Sequence, residues 1–158
     1  KNRVNRDEPT ASAQVAMPAA THTYDLRSGK YLGKLTTWQA DFVPARAKLY
    51  ARLPYTIDGV RITATKAATN VSGQLSGPTL TCNVSVQTSS KQPGRHWVAL
   101  SVYGPDGKLR QHYNRNIATA NGKTTTTIPL ALDDAKGTWK VVGREVISGK
   151  KAEATFSL

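Results

Sequence analysis

One short turn motif occurs four times along this 158-residue sequence. A small polar residue is followed by glycine and lysine in Ser28-Gly29-Lys30, Asp106-Gly107-Lys108, Asn121-Gly122-Lys123 and Ser148-Gly149-Lys150. Tight turns between antiparallel strands need a positive φ, which glycine adopts at little steric cost. Because the motifs lie between runs of β-branched and aromatic residues, they predict an all-β protein built from hairpins.

The longer part of the chain, residues 57–158, has the pattern of a β-sandwich. Seven short strands are predicted, at about 57–66, 79–88, 95–104, 109–118, 123–132, 137–147 and 151–158. Apolar and polar residues alternate along them, which predicts one buried face. The predicted core is Val60, Ile62, Leu80, Cys82, Val84, Val86, Val98, Leu100, Val102, Ile128, Leu130, Leu132, Trp139, Val141, Ala154 and Phe156. This pattern indicates an immunoglobulin-like antiparallel sandwich without any helix longer than one turn.

The first 56 residues divide into two further parts. Residues 1–20 contain charges, then small residues and prolines without periodicity, and they predict an arm or linker. Residues 21–56 contain three strand patterns, one of which places Trp38, Ala40 and Phe42 on the same face. Three strands alone cover a core poorly. We therefore expect this short three-stranded segment to complete the sheet of a preceding β-domain or to pack on the sandwich.

Charge and hydropathy limit the partners of the chain. The 22 basic and 10 acidic residues give a net charge of +12, which is spread along the chain without a dense tract. Dispersed charge is typical of a solvated surface, and it leaves open an anionic polymer or an acidic surface as partner. No apolar run approaches the ~18 residues of a membrane span, so none is expected. The chain starts at Lys1 without an apolar leader, so we expect any signal peptide to be absent or already removed.

The sequence predicts no catalytic centre, no metal site and no cofactor. Cys82 is the one cysteine, and its place in an apolar alternation indicates a buried thiol, not a nucleophile. Asp133 and Asp134 are adjacent and precede a glycine, which favours a role in a turn over acid–base chemistry. The spacing of the three histidines does not suggest zinc binding: His22, His96 and His112.

Two aromatic residues of one predicted strand are candidates for an interface. Trp97 and Tyr103 lie on the face opposite the core residues, where they could be covered by a neighbouring domain. A loose surface position and a platform that stacks on sugar rings are the alternatives. Asn70 and Asn83 begin Asn-Val-Ser sequons, which matter only if the source organism glycosylates them.

A second candidate is a basic and aromatic cluster just after the turn at Gly107. The cluster consists of Arg110, His112, Tyr113 and Arg115. Basic residues interleaved with aromatic ones suit contacts to the phosphates or bases of an anionic ligand. Ordinary cross-strand packing is the favoured interpretation, and an anionic ligand is the alternative.

Four longer strings carry a family resemblance. They are TYDLRSGKYLG (23–33), LPY (53–55), YGPDGKLRQHYNRNI (103–117) and IPLALDDAKGTWKVVGREV (128–146). Together they resemble the C-terminal β-sandwich region of large secreted bacterial glycoside hydrolases of the β-galactosidase-like kind. In that family a catalytic barrel holds the acid and the nucleophile, and β-domains follow it. Nothing in this sequence matches those two catalytic residues, and the high positive charge and Gly143 depart from the family pattern.

The resemblance implies a non-catalytic accessory module of a larger secreted, extracytoplasmic protein. Residues 21–56 would close a preceding β-domain, and residues 57–158 would form a sandwich that supports or spaces the catalytic part. The expected partners are neighbouring domains of the same protein, with polysaccharide as a further one. The competing hypothesis is a free-standing basic adaptor that binds a sulfated glycan, a nucleic acid or a cell-surface acid, nucleic acid being the less expected. A clustered positive face would favour the adaptor, whereas exposed apolar surface around Trp38 and Trp97 would favour docking.

Overall fold

The computed structural model describes residues 11–67 and 77–158, which form an all-β protein as predicted. The strands are β1 (Ala11–Asp25), β2 (Lys30–Phe42), β3 (Tyr50–Leu53), β4 (Ile57–Ala67), β5 (Thr79–Thr88), β6 (Trp97–Tyr103), β7 (Arg115–Ala118), β8 (Lys123–Pro129), β9 (Thr138–Glu145) and β10 (Lys151–Ser157). One turn of 3-10 helix, Gln111–Tyr113, is the only helix within these two ranges. They accordingly contain no helix of the length and apolarity that crossing a membrane requires.

The last seven strands form the predicted sandwich. Its three-stranded sheet has the order β4-β5-β8, and its four-stranded sheet has the order β10-β9-β6-β7. All neighbouring strands in both sheets are antiparallel. The inner faces of the two sheets bury the apolar residues that alternate along each strand. This division into three and four strands is the arrangement of an immunoglobulin-like sandwich.

The core confirms the predicted strand register. Leu100 is buried on β6 whereas Trp97, on the opposite face, is half exposed, and Trp139 has no exposed surface. Cys82 is also fully buried, and burial raises the pKa of its thiol to about 11. The prediction of Leu132 in the core is wrong, because β8 ends at Pro129 and the following turn exposes Leu132 to solvent.

The predicted strand at 109–118 is also corrected. Only Arg115–Ala118 is a strand, and the residues before it form the 3-10 helix. The backbone of Val102 explains the difference: its carbonyl accepts the N–H of Arg110 (2.8 Å), and its own N–H donates to the side chain of Asn114 (3.2 Å). The chain between Arg110 and Asn114 therefore loops out of the sheet.

The first three strands form a separate sheet with the order β2-β1-β3, called here the hairpin sheet. Residues 11–20, predicted as part of an arm or linker without periodicity, belong to β1 and pair with β2. Residues 1–10 and the sequon at Asn70 lie outside the described residues. The register of β1 against β2 shifts between Ala16 and Thr21, which accommodates Pro18 in the strand. The guanidinium of Arg52 on β3 donates to the backbone carbonyl of Ala19, which lies in this irregular part of β1.

The hairpin sheet packs on the sandwich at its turn end. Tyr24 is buried in the common core, and its hydroxyl accepts the backbone N–H of Ile57 at 2.8 Å. The turn at Gly29 contacts the turn at Ser148 so closely that a Cβ on Gly29 would lie 3.0 Å from the Ser148 carbonyl oxygen. Packing on the sandwich was one of the two expected arrangements. Completion of a preceding domain stays a prediction.

All four turn motifs have the predicted backbone conformation. The φ angles of their glycines lie between 67° and 73°: Gly29, Gly107, Gly122 and Gly149. Asn121 also has a positive φ (49°), so both central residues of its turn are left-handed, as a type I′ turn requires. The lysines of the motifs follow these glycines at the ends of the sheets. The turn at Gly29 joins the paired strands β1 and β2, and the turn at Gly149 joins β9 and β10, as predicted for hairpins. The other two turns do not directly join paired strands, because β7 and β8 on either side of Gly122 lie in different sheets and the 3-10 helix follows Gly107 before β7 begins.

Candidate functional site

The two arginines of the predicted basic cluster are held by the domain itself. A guanidinium nitrogen of Arg110 lies 3.0 Å from an Asp106 carboxylate oxygen, and the group sits 5.8 Å from the centre of the Trp139 indole. The guanidinium of Arg115 donates to two nearby backbone carbonyls, at 3.0 and 2.8 Å. Their hydrogen bonds and the indole contact therefore stabilise the loop that leads into β7.

Tyr113 lies in the core and not on a binding surface. Its hydroxyl donates to Asp134 Oδ2 at 2.5 Å and accepts the N–H of Ala131 at 2.8 Å, while its ring packs edge-on against Trp139. Burial and the bond to Asp134 raise the pKa of this hydroxyl. Of the cluster, His112 is exposed next to the Tyr113 ring. The contacts of Arg110 and Tyr113 are packing within a loop, not the cross-strand packing that was favoured, and an anionic ligand for the cluster stays a prediction. Asp134 lies in a turn, as expected.

Trp97 and Tyr103 do not form a joint platform. They occupy the same outer face of β6, six residues apart, which places them about 20 Å from each other. The ammonium of Lys140 lies 5.4 Å from the centre of the Tyr103 ring, a cation–π contact. The side chain of Trp97 is half exposed. Its backbone carbonyl accepts the N–H of Val146, which is also exposed, at 3.0 Å. An interface role for each of them stays a prediction.

A buried polar network joins His96, which directly precedes β6, to Glu145 at the end of β9, and sequence reasoning did not identify it. His96 Nδ1 lies 3.2 Å from Glu145 Oε1, and His96 Nε2 lies 3.1 Å from the hydroxyl of Tyr55. Both side chains of the His96–Glu145 pair are fully buried. The second oxygen of Glu145 accepts the N–H and the hydroxyl of Ser148, at 2.6 and 2.7 Å. The carboxylate therefore fixes the turn between β9 and β10.

The hydrogen bonds of Glu145 determine its charge. Burial raises the pKa of the carboxyl, but the bonds from His96 and Ser148 outweigh burial, and the pKa lies below its usual value. The only signal in the sequence is the position of Glu145 on the inward face of β9, in line with Trp139 and Val141. Both ring nitrogens of His96 and both carboxylate oxygens of Glu145 have hydrogen-bond partners, so we assign the pair a structural role.

A shallow groove of about 410 Å³ lies on the outer face of the β4-β5-β8 sheet. Two cross-strand rows of polar residues line it, Arg61–Ser85–Lys123 and Thr63–Asn83–Thr125. In the second row Thr125 Oγ1 donates to Asn83 Oδ1 (2.8 Å), and the Asn83 amide donates to Thr63 Oγ1 (3.3 Å). The rows join strands that are distant in sequence, so only the sheet register reveals them. The described residues contain no cluster of three or more His, Cys, Asp or Glu that could hold a metal ion.

Comparisons with known proteins give similarity at the level of structure. No protein-family model and no curated protein sequence matches the chain. A β-glucuronidase of Bacteroides uniformis is similar over 93% of this chain and 26% of its own length, with 13% identity and a TM-score of 0.39. A second, β-glucuronidase 2 of the same organism bound covalently to cyclophellitol-6-carboxylate aziridine, is similar over 92% and 25%, with 13% identity and a TM-score of 0.35. The chain spans about a quarter of the length of these glycoside hydrolases.

Proposed function

We propose that this chain is a non-catalytic accessory module of a larger secreted glycoside hydrolase-like protein, in which it supports or spaces a catalytic domain. The observation that carries the proposal is the shape of the hairpin sheet. One end of this sheet is built into the core of the sandwich through Tyr24, and at the other end β1 and β2 form a two-stranded ribbon that pairs with no third described strand. The ribbon is suited to dock against a neighbouring domain.

The two-stranded ribbon has unpaired edges among the described residues. β3 pairs only with residues 22–25 of β1, so residues 11–20 of β1 have no strand partner but β2 within the described chain. The far edge of β2 likewise faces no strand among those residues. Exposed edges are templates for pairing with another strand, and an isolated two-stranded hairpin is marginally stable. A neighbouring domain that covers or extends this ribbon would stabilise it.

Exposed apolar side chains on the hairpin sheet and its connection to β3 support the same proposal. They are Met17, Tyr31, Phe42 and Leu49. These side chains are spread along the sheet, from Tyr31 near the turn to Phe42 at the opposite end, so they offer single apolar contacts to a neighbouring domain and do not form one contiguous patch. Exposed apolar surface around Trp38 and Trp97 was the criterion set for docking, and it is met at Trp97 only, because Trp38 is buried against Tyr50 with the two ring centres 5.1 Å apart.

The two described glutamates of the sandwich have structural partners. Glu145 is buried in its network with His96, and Glu153 lies 3.4 Å from the ammonium of Lys140. A glycosidase needs two carboxyl groups that flank the scissile bond, one as acid and one as nucleophile or base. We expect the isolated chain to leave reporter glycosides uncleaved.

Amide hydrogen exchange tests the docking of the ribbon. We expect amides in 11–20 and 35–42 to exchange rapidly in the isolated chain and to gain protection in the full-length parent protein. Amides at the centres of β6 and β9 are the control, since they are buried in both forms and should exchange equally slowly. Equal exchange of the ribbon in the two forms would show that it contacts no other domain.

A further inference from the structure

We propose that the outer face of the β4-β5-β8 sheet binds an acidic oligosaccharide. Arg61 and Lys123 would contact a carboxylate or sulfate group, and the hydroxyl and amide side chains of the adjacent row would contact sugar hydroxyls. The inference goes beyond the accessory role, because the site lies entirely within the sandwich. It applies equally to a free-standing chain.

The sheet register brings the two cations together. Arg61 lies opposite Ser85, and Ser85 lies opposite Lys123, so the three residues form one row across the sheet. With strands about 4.8 Å apart, the Cα atoms of Arg61 and Lys123 are about 10 Å apart. Both side chains are long, so their charged groups can converge above Ser85. A guanidinium and an ammonium next to a hydroxyl are suitable donors to an oxyanion.

The positive charge of this row is not compensated on its own sheet. From Gly59 onwards on β4, and along β5 and β8, none of the outward residues is acidic: Gly59, Arg61, Thr63, Thr65, Ala67, Thr79, Thr81, Asn83, Ser85, Gln87, Lys123, Thr125, Thr127 and Pro129. The exposed carboxylate of β4, Asp58, lies at the β-bulge that begins the strand and accepts the hydroxyl of Thr56 at 2.7 Å. The side chains of Arg61 and Lys123 have no hydrogen bond or ion pair to any described residue. Arg110 and Arg115, in contrast, are both held by internal partners. An anion on this face would therefore meet two available cations.

The row next to the cations indicates a sugar as the carrier of the anion. Thr63, Asn83 and Thr125 are linked by hydrogen bonds across the sheet and leave further donor and acceptor positions towards the groove. These hydroxyl and amide groups can donate to and accept from the hydroxyls of a pyranose ring. The outward residues include no aromatic side chain on which a nucleic acid base could stack, and no large apolar side chain that could anchor a protein partner. An acidic oligosaccharide is thus the ligand that the face fits best.

Nuclear magnetic resonance titration with defined probes tests the site. The probes are tetragalacturonate and a heparin tetrasaccharide, with maltotetraose as the neutral control. We expect both acidic probes to shift the amide signals of Asn83, Ser85 and Thr125, and maltotetraose to leave them in place. Loss of each cation removes a charge-assisted hydrogen bond, so Arg61→Gln and Lys123→Gln should each weaken binding by about tenfold or more. Added salt should weaken binding as well.

A matched variant separates a site from general positive charge. Arg61→Gln/Lys123→Gln and Lys91→Gln/Lys136→Gln both lower the net charge from +12 to +10, and all four residues are exposed. We expect the first pair to abolish measurable binding and the second to preserve it. Thr125→Val, which keeps the shape and removes the hydroxyl, should weaken binding of the tetrasaccharides.

Three results would overturn the proposal. They are equal losses in the two double variants, an absence of shifts on this sheet, and equal binding of a single-stranded oligonucleotide of the same charge at this face. None of them affects the hydrogen exchange of the ribbon, so a failure here is distinguishable from a failure of the accessory role.

Discussion

Replacement of Trp139 by alanine should cause one of the largest losses of stability available in this fold. The indole is fully buried, lies between Tyr113 and Phe156 with ring centres about 6 Å away, and donates its N–H to the Ala135 carbonyl at 2.9 Å. An aromatic side chain of this kind buries roughly 150–250 Å², which at ~25 cal/mol/Å² corresponds to about 4–6 kcal/mol. Measured Phe and Trp to Ala changes cost about 3–5 kcal/mol. We therefore expect Trp139→Ala to lose about 3–5 kcal/mol.

Urea unfolding followed by far-ultraviolet circular dichroism measures this loss. Trp97→Ala is the matched control, because it deletes the same side chain from a half-exposed position on the outer face of β6. We expect the control to cost less than about 1–2 kcal/mol, since most surface substitutions have small effects. Equal losses in the two variants, or an unchanged midpoint for Trp139→Ala, would refute the position of the indole in the core.

Two further predictions concern the buried carboxylate and one turn. Because the pKa of Glu145 is lowered in the folded state, its contribution to stability is present above the unfolded value of about 4.5 and is lost as pH falls through the folded value. Glu145→Gln should therefore destabilise the protein at pH 7 and differ less from the parent at pH 3, in unfolding curves at both values; a constant difference would contradict this. Gly122→Ala should cost more than Gly107→Ala, because both glycines have φ near 72° but only a Cβ at Gly122 would meet neighbours, Pro93 at 2.7 Å and the Val86 carbonyl at 3.1 Å. Equal melting temperatures of these two variants would show that the turn at Gly122 yields without strain.

Local patterns in the sequence were sufficient for most of the sandwich. Period-two alternation identified the inward residues of β5, β6 and β9, and glycine after a small polar residue identified the turns. Both signals depend only on residues that are close in sequence, so the packing of distant strands does not change them. Pro129 shows the limit of the alternation: it ends β8, so that Leu132 continues the pattern in the sequence but lies outside the sheet.

The features that sequence reasoning missed depend on contacts between distant residues. Asn114 replaces a strand hydrogen bond of Val102, which is 12 residues away, and thereby turns Tyr113 into the core. His96 and Glu145 are 49 residues apart. The row from Arg61 to Lys123 exists only because β4 and β8 both pair with β5. Residues 11–20 lack a strand pattern, and their pairing with β2 provides the hydrogen bonds that make them a strand.

Sequencing the gene on both sides of the region that encodes this chain tests the accessory role most directly. We predict that the reading frame continues upstream of Lys1 into β-domains and a catalytic barrel that carries the acid and nucleophile carboxylates of a glycoside hydrolase. The secreted protein should then have a mass several times the 17.1 kDa of this chain. A reading frame that encodes only a leader peptide before Lys1 and stops after Leu158 would contradict the accessory role.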